Sequence, residues 1–125
     1  AMLALRLVLT SGPPTLVFDE VDAGIGGEVA HTVGANLAAL TDEHQVLVVT
    51  HLAQVAACAD HHVAVSKRER DGVTVSAAHL LGDDARVVEL SRMLSGSPDS
   101  SAAREHAEEL IDSARLQAAS RSARR

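Results

Sequence analysis

A chain of 125 residues is long enough for one modest domain, and its single aromatic residue, Phe18, leaves an aliphatic core and argues against base stacking on aromatic side chains. The formal charge of −6 argues against a generic DNA-coating surface. One cysteine, Cys58, excludes an intramolecular disulfide framework and reads as a small buried thiol.

No apolar run reaches the ~18–20 residues of a membrane span, so no membrane partner is expected. Residues 2–9 are apolar but lack a basic n-region and a cleavage site, which makes the cytoplasm the simplest compartment. Residues 2–10 read as the end of a buried helix, stopped at Ser11-Gly12-Pro13-Pro14, and no cap precedes it, which hints at a fragment. Thr15-Leu16-Val17-Phe18-Asp19 then predicts a parallel strand buried on both faces. The glycine-rich turn Asp22-Ala23-Gly24-Ile25-Gly26-Gly27 follows. A helix over about 28–40 carries Val29, Val33, Leu37 and Leu40 on one stripe. Gln45 to Thr50 is a second buried strand, ending at His51. Strand, helix and strand this close together form a βαβ unit, which predicts parallel pairing with a right-handed crossover.

A short helix is expected over about 52–59. Val63 and Val65, then Val73 and Val75, alternate with polar residues around Arg70-Asp71-Gly72, the pattern of a hairpin. A helix near 84–95 carries Val87, Leu90 and Leu94. After Gly96-Ser97-Pro98, Asp99 is the expected N-cap of a last helix with Ala103, Ala107, Leu110, Ile111 and Ala114 on one face. At Arg115 the composition shifts to Ser, Ala, Gln and Arg, which predicts fraying. The chain thus divides into a lobe over 1–114 and a basic, disordered tail over 115–125. The fold class is α/β: a mostly parallel sheet with flanking helices, a β-hairpin and C-terminal helices.

The chemistry concentrates at Asp19-Glu20. Burying one charge costs several kcal/mol unless something compensates it, so two carboxylates ending an apolar strand point to a cation and a reaction there. Open α/β sheets bind ligands at that edge. This is the pattern of a Walker B element: Asp19 for Mg²⁺, usually through water, and Glu20 to polarise the attacking water. The next strand ends in Thr50-His51, and neighbouring parallel strands bring their C-terminal ends together. Asp19, Glu20 and His51 can therefore converge on one ligand, a nucleotide to be hydrolysed.

Asp19-Glu20-Val21-Asp22-Ala23-Gly24-Ile25-Gly26-Gly27, followed by Val48-Val49-Thr50-His51-Leu52-Ala53-Gln54-Val55-Ala56, resembles the RecN family of bacterial DNA repair proteins. That family resembles the structural-maintenance-of-chromosomes (SMC) and ABC-type ATPases. The resemblance covers about residues 1–112. It implies a partial P-loop NTPase lobe of the ABC/SMC-head type, with ATP and Mg²⁺ as cofactors. It implies Asp19 at the metal, Glu20 and His51 as catalytic residues with His51 on the γ-phosphate, and Asp22, Gly24, Gly26 and Gly27 as the cofactor-binding residues of the D-loop. That loop crosses a head-to-head homodimer. It further implies DNA as a partner of the complete protein and a bacterial, nucleoid-associated location.

The chain departs from the wider ABC pattern in two respects. Gly26 stands where the D-loop usually has an Asp, and no G-x-x-x-x-G-K-[ST] motif occurs, so the amides and lysine that cradle phosphate are absent. The chain therefore reads as the C-terminal lobe of a split ATPase head, inactive without an N-terminal lobe. By the same resemblance, the P-loop strand would border strand 46–49. Leu94-Ser95-Gly96-Ser97 mimics a signature motif but reads as a helix end capped by Gly96. His61 and His62 are adjacent and would point to opposite faces of a strand, so they cannot chelate one metal together. The other histidines, His31, His44, His79 and His106, read as surface residues. Two rival readings remain: another ABC-type ATPase such as a transporter subunit, and a non-enzymatic head-dimerisation module.

Overall fold

The computed structural model describes residues 13–124. The helix expected over residues 2–10, and Arg125, lie outside the described residues. The elements run β1 (Thr15–Asp19), α1 (Gly27–Leu40), β2 (Gln45–Val49), α2 (Ala53–Ala56), β3 (Val63–Arg70), β4 (Val73–Leu80), α3 (Asp83–Ser95) and α4 (Ser101–Ser122).

β1 and β2 pair in parallel, in register from Thr15 opposite Gln45 to Asp19 opposite Val49, with α1 as the crossover. Leu16, Phe18, Val46 and Val48 turn to one face, where they pack with Ala30, Val33, Leu37 and Leu40 of α1 and Val55 of α2. The expectation of burial on both faces is corrected: Val17 is 70% and Val49 60% exposed, and Leu47 is exposed beside them. The described helices cover one face of this sheet, and Val17, Leu47 and Val49 on the other are exposed. Val29 also needs correction. It faces solvent, because the buried stripe of α1 runs through Ala30, Gly34, Leu37 and Leu40.

A second core joins the helices. Ala53, Ala56 and Ala57 around α2 pack with Leu90 of α3 and with Ala107 and Ile111 of α4. α2 therefore serves both cores, with Val55 in one and its alanines in the other. So short a helix has no stability of its own, and two contacts from outside fix it. From α1, Gly34 lies so close that a β-carbon there would sit 2.8 Å from Cys58 Sγ and 3.2 Å from both Gln54 O and Val55 Cα. From α3, the buried Arg86 guanidinium donates to the carbonyls of Ala56 (3.2 Å), Ala57 (2.9 Å) and Ala59 (2.6 Å). A cation on the carbonyls at a helix C-terminus is favourable both as hydrogen bonds and against the helix dipole.

β3 and β4 form the expected hairpin, and Asp71 and Gly72 both adopt positive φ (53° and 76°), as a two-residue I′ turn requires. Gly96 caps α3 in the left-handed conformation, as read from the sequence. The N-cap of α4 is Ser100 rather than Asp99: its hydroxyl accepts the Ala103 N–H at 3.3 Å. Nor does α4 fray at Arg115. It continues to Ser122, because Gln117 bonds His31 (2.9 Å) and Arg121 donates to Ala38 O (3.4 Å), tying this end to α1. Much of the residue 115–125 segment is thus a docked helix end.

The close approach at Gly34 generates a prediction. Gly34→Ala gains about 0.5–1 kcal/mol of helix propensity but overpacks the α1–α2 contact at about 1–3 kcal/mol. A net destabilisation on the order of 1 kcal/mol is expected in denaturant unfolding, partly recovered by adding Cys58→Ala, which removes the nearest atom. A variant as stable as the parent would contradict this packing.

Candidate functional site

The in-register pairing puts the ends of β1 and β2 side by side, so Glu20 and Thr50 are the first residues past the two strands. There the chain leaves β1 abruptly. Glu20 takes φ +52°, a left-handed conformation costly for a residue with a β-carbon. The Glu20 carbonyl accepts the Ala23 N–H and the Asp22 carbonyl accepts the Ile25 N–H, both at 3.2 Å. Gly24 and Gly27 hold φ +76° and +51°, open to glycine at no steric cost. Gly26 is extended and forms the N-cap of α1.

Asp19 and Glu20 are exposed at this edge, and neither carboxylate has a hydrogen-bond or ion-pair partner among the described residues. Asp22 is the opposite case. It is 2% exposed and its Oδ2 faces the end of β2. That oxygen accepts the Thr50 hydroxyl and the His51 backbone N–H (3.1 Å), and lies 3.3 Å from His51 Nδ1. Thr50 Oγ1 in turn accepts the Leu52 N–H at 3.0 Å. Burial alone pushes the Asp22 carboxyl up. The Thr50 hydroxyl, the His51 amide, its own amide and the His51 ring outweigh it, holding the carboxyl below the ordinary value of 3.8. The His51 ring itself is 76% exposed beyond this anchor.

The sequence-predicted residues are therefore disposed in three ways. Asp19 and Glu20 face solvent, His51 stands at the adjacent strand end, and Gly24, Gly26 and Gly27 shape the turn. Asp22, read from the sequence as part of the nucleotide-facing loop, turns its carboxylate inward onto Thr50 and His51. Sequence reasoning missed Thr50 as the partner of Asp22. It also missed Arg86, whose signal was a position four residues before the buried Leu90 on the same helix face. Cys58 is half-buried and its thiol is pushed up by burial, which suits an inert packing group. Among the described residues no group of three or more His, Cys, Asp or Glu side chains is placed to hold a metal.

No protein-family model matches the chain. It is similar to the DNA repair protein RecN of Deinococcus radiodurans, 56% identical over 88% of this chain, and to those of Streptomyces coelicolor and Mycobacterium leprae, each 52% identical over 91%. The chain spans only about one fifth of the length of these relatives (19–20%). It also resembles a solved SMC ATPase structure described for ATP-driven dimerization and DNA-stimulated activation. The TM-score is 0.59 at 23% identity, over 73% of this chain and 54% of the other. The fold is that of an ABC/SMC-type ATPase lobe.

The state of Asp22 sets a pH dependence. A carboxyl held low in the native state stabilises fully above its unfolded pKa and loses that contribution as pH falls through the lower native value. Asp22→Ala should cost about 1–3 kcal/mol near neutral pH, since it orphans part-buried donors. The difference from the parent should narrow only below about pH 4. Urea unfolding across that range measures it, and a gap constant down to about pH 2 would mean that no ionised Asp22 is stabilising the fold.

Proposed function

We propose, on the premise that the chain belongs to the RecN family, that it is the C-terminal lobe of an ATPase head acting in recombinational repair of DNA double-strand breaks. The observation that supports this reading is the strand edge itself. Two carboxylates without a partner among the described residues stand at the end of β1, and an exposed histidine stands just past the end of β2 beside them.

The residues fit a magnesium nucleotide. Mg²⁺ prefers hard oxygen ligands and keeps waters and phosphate oxygens alongside one or two protein carboxylates. Asp19 is such a carboxylate, free of protein partners among the described residues. When bound, Mg²⁺–ATP supplies the γ-phosphoryl group and neutralises part of its charge. Glu20 orients the attacking water. With the nucleotide bound, His51 would lie at the γ-phosphate side and would stabilise charge that grows in the transition state. The turn carrying Asp22, Gly24, Gly26 and Gly27 faces a second head in a homodimer. A phosphate-cradling loop, absent from this sequence, comes from the N-terminal lobe of the same head, so this chain alone does not hydrolyse ATP. In the complete protein, hydrolysis opens the dimer and so regulates its hold on nucleoid DNA in the bacterial cytoplasm.

Two substitutions in the full-length protein test the roles. Glu20→Gln is expected to slow ATP hydrolysis by roughly 10²–10⁴-fold with nucleotide binding largely kept. Near-normal turnover would remove Glu20 from the chemistry and favour a docking module. His51→Ala should lower kcat more than it weakens ATP affinity, as expected of a contact that strengthens in the transition state. An effect confined to affinity would make His51 a ground-state contact.

A further inference from the structure

Asp22 has a position that the hydrolysis reading does not use. Its carboxylate is almost wholly buried, and one oxygen, Oδ2, gathers three groups of the neighbouring strand end: the Thr50 hydroxyl, the His51 amide and His51 Nδ1. A turn that needed only closure would not bury a carboxylate, which costs several kcal/mol uncompensated. Here the backbone amide bond fixes where His51 starts, and the ring lies 3.3 Å from the same oxygen.

We infer that Asp22 is a positioning residue for His51, holding Nδ1–H toward its carboxylate so that Nε2 faces outward, where it donates to a phosphoryl oxygen once it carries the second proton. The inference rests on the ATPase reading for the identity of that oxygen. The Asp22 oxygen lies 3.3 Å from Nδ1 as an ion-pair contact, and an ionised carboxylate there attracts a hydrogen on that nitrogen and repels its lone pair. The other nitrogen then projects away from the buried anchor, on the exposed side of the ring. Carboxylate–histidine pairs fix the tautomer and orientation of a working imidazole in this way. The same carboxylate belongs to the turn that carries Gly24, Gly26 and Gly27. Its carbonyl is bonded to Ile25, so a shift of that turn is transmitted to the histidine through one side chain. Asp22 thus differs from Asp19 and Glu20, which are open to solvent and act on what they face.

The test uses the full-length protein. Asp22→Asn keeps the acceptor oxygen and removes the charge. It should lower kcat about 10–100-fold, the usual cost of losing a partner behind a working histidine, with KM for ATP changed less than about threefold on that same argument. Asp22→Asn combined with His51→Ala should be no slower than His51→Ala alone, because the carboxylate works only through the ring. Asp22→Glu, which restores the charge at a longer reach, should recover part of the rate. Independently of any variant folding, ¹⁵N NMR of the histidine ring in the unmodified protein should show His51 with its hydrogen on Nδ1. A ring protonated on Nε2 only would overturn the inference, and so would multiplicative losses in the double variant. If His51→Ala itself leaves hydrolysis unchanged, the ATPase role of His51 fails, whichever tautomer the spectra show.

Discussion

The buried carboxylate of Asp22 is the constraint on which the strand edge depends. Parallel pairing aligns the backbones of β1 and β2 but does not determine where the two following loops go. Asp22 does. Its Oδ2 binds Thr50 and His51 across 28 and 29 residues of sequence, so the loop after β1 and the loop after β2 move as one piece. A buried charge is tolerated only when its hydrogen bonds compensate for lost hydration. Here they do so well enough to hold the carboxyl below its ordinary value. The strained backbone of Glu20 fits the same picture. A left-handed non-glycine residue persists only where its surroundings over-determine it, and the bonded turn just beyond Glu20 does that.

His51 is framed from its other side as well. Leu52 is the N-cap of α2, so the histidine leads directly into that one-turn helix. α2 is held by the close approach of Gly34, by burial of Val55 and three alanines in two different cores, and by Arg86 on its terminal carbonyls. Arg86 is costly to bury, yet its Nη2 replaces water with three carbonyl oxygens. The result is a continuous chain of fixed contacts from α3, through α2, to the base of an exposed imidazole. A solvent-facing side chain thus gains a rigid support without itself being buried.

Much of this fold was legible in the sequence, and the failures have physical causes. The βαβ unit, the hairpin and the helices follow from hydrophobic period and turn residues, which are local properties. Asp71-Gly72 specified its turn because both positions must take positive φ. Val29 was misplaced because a stripe drawn through the larger side chains ignored Gly34, whose value lies in having none. Ser100 displaced Asp99 at the cap because either residue type serves there, and only the start of the helix decides. The end of α4 looked frayed because Gln117 and Arg121 are polar, while their partners, His31 and Ala38, lie more than 80 residues away. The site divides in the same way. Asp19, Glu20 and His51 were visible as strand-end residues. The inward turn of Asp22, its pairing with Thr50 and the capping role of Arg86 were not, since each depends on tertiary contacts that no local pattern encodes.

The misjudged burial of β1 and β2 bears on function. Their sequences are apolar at every core position on both faces, yet among the described residues only Leu16, Phe18, Val46 and Val48 pack against helices. Val17, Leu47 and Val49 remain exposed on the other face. Covering a Val or Leu is worth about 1.5–3 kcal/mol, so this face represents several kcal/mol of unrealised stability. On the proposed reading, the lobe that carries the phosphate loop provides that cover. Completing the hydrophobic core and completing the catalytic site are then one event. The same docking that hides the valines brings phosphate-binding groups to Asp19, Glu20 and His51. On that reading, Asp19, Glu20 and His51 depend on the docked lobe to present a nucleotide to them.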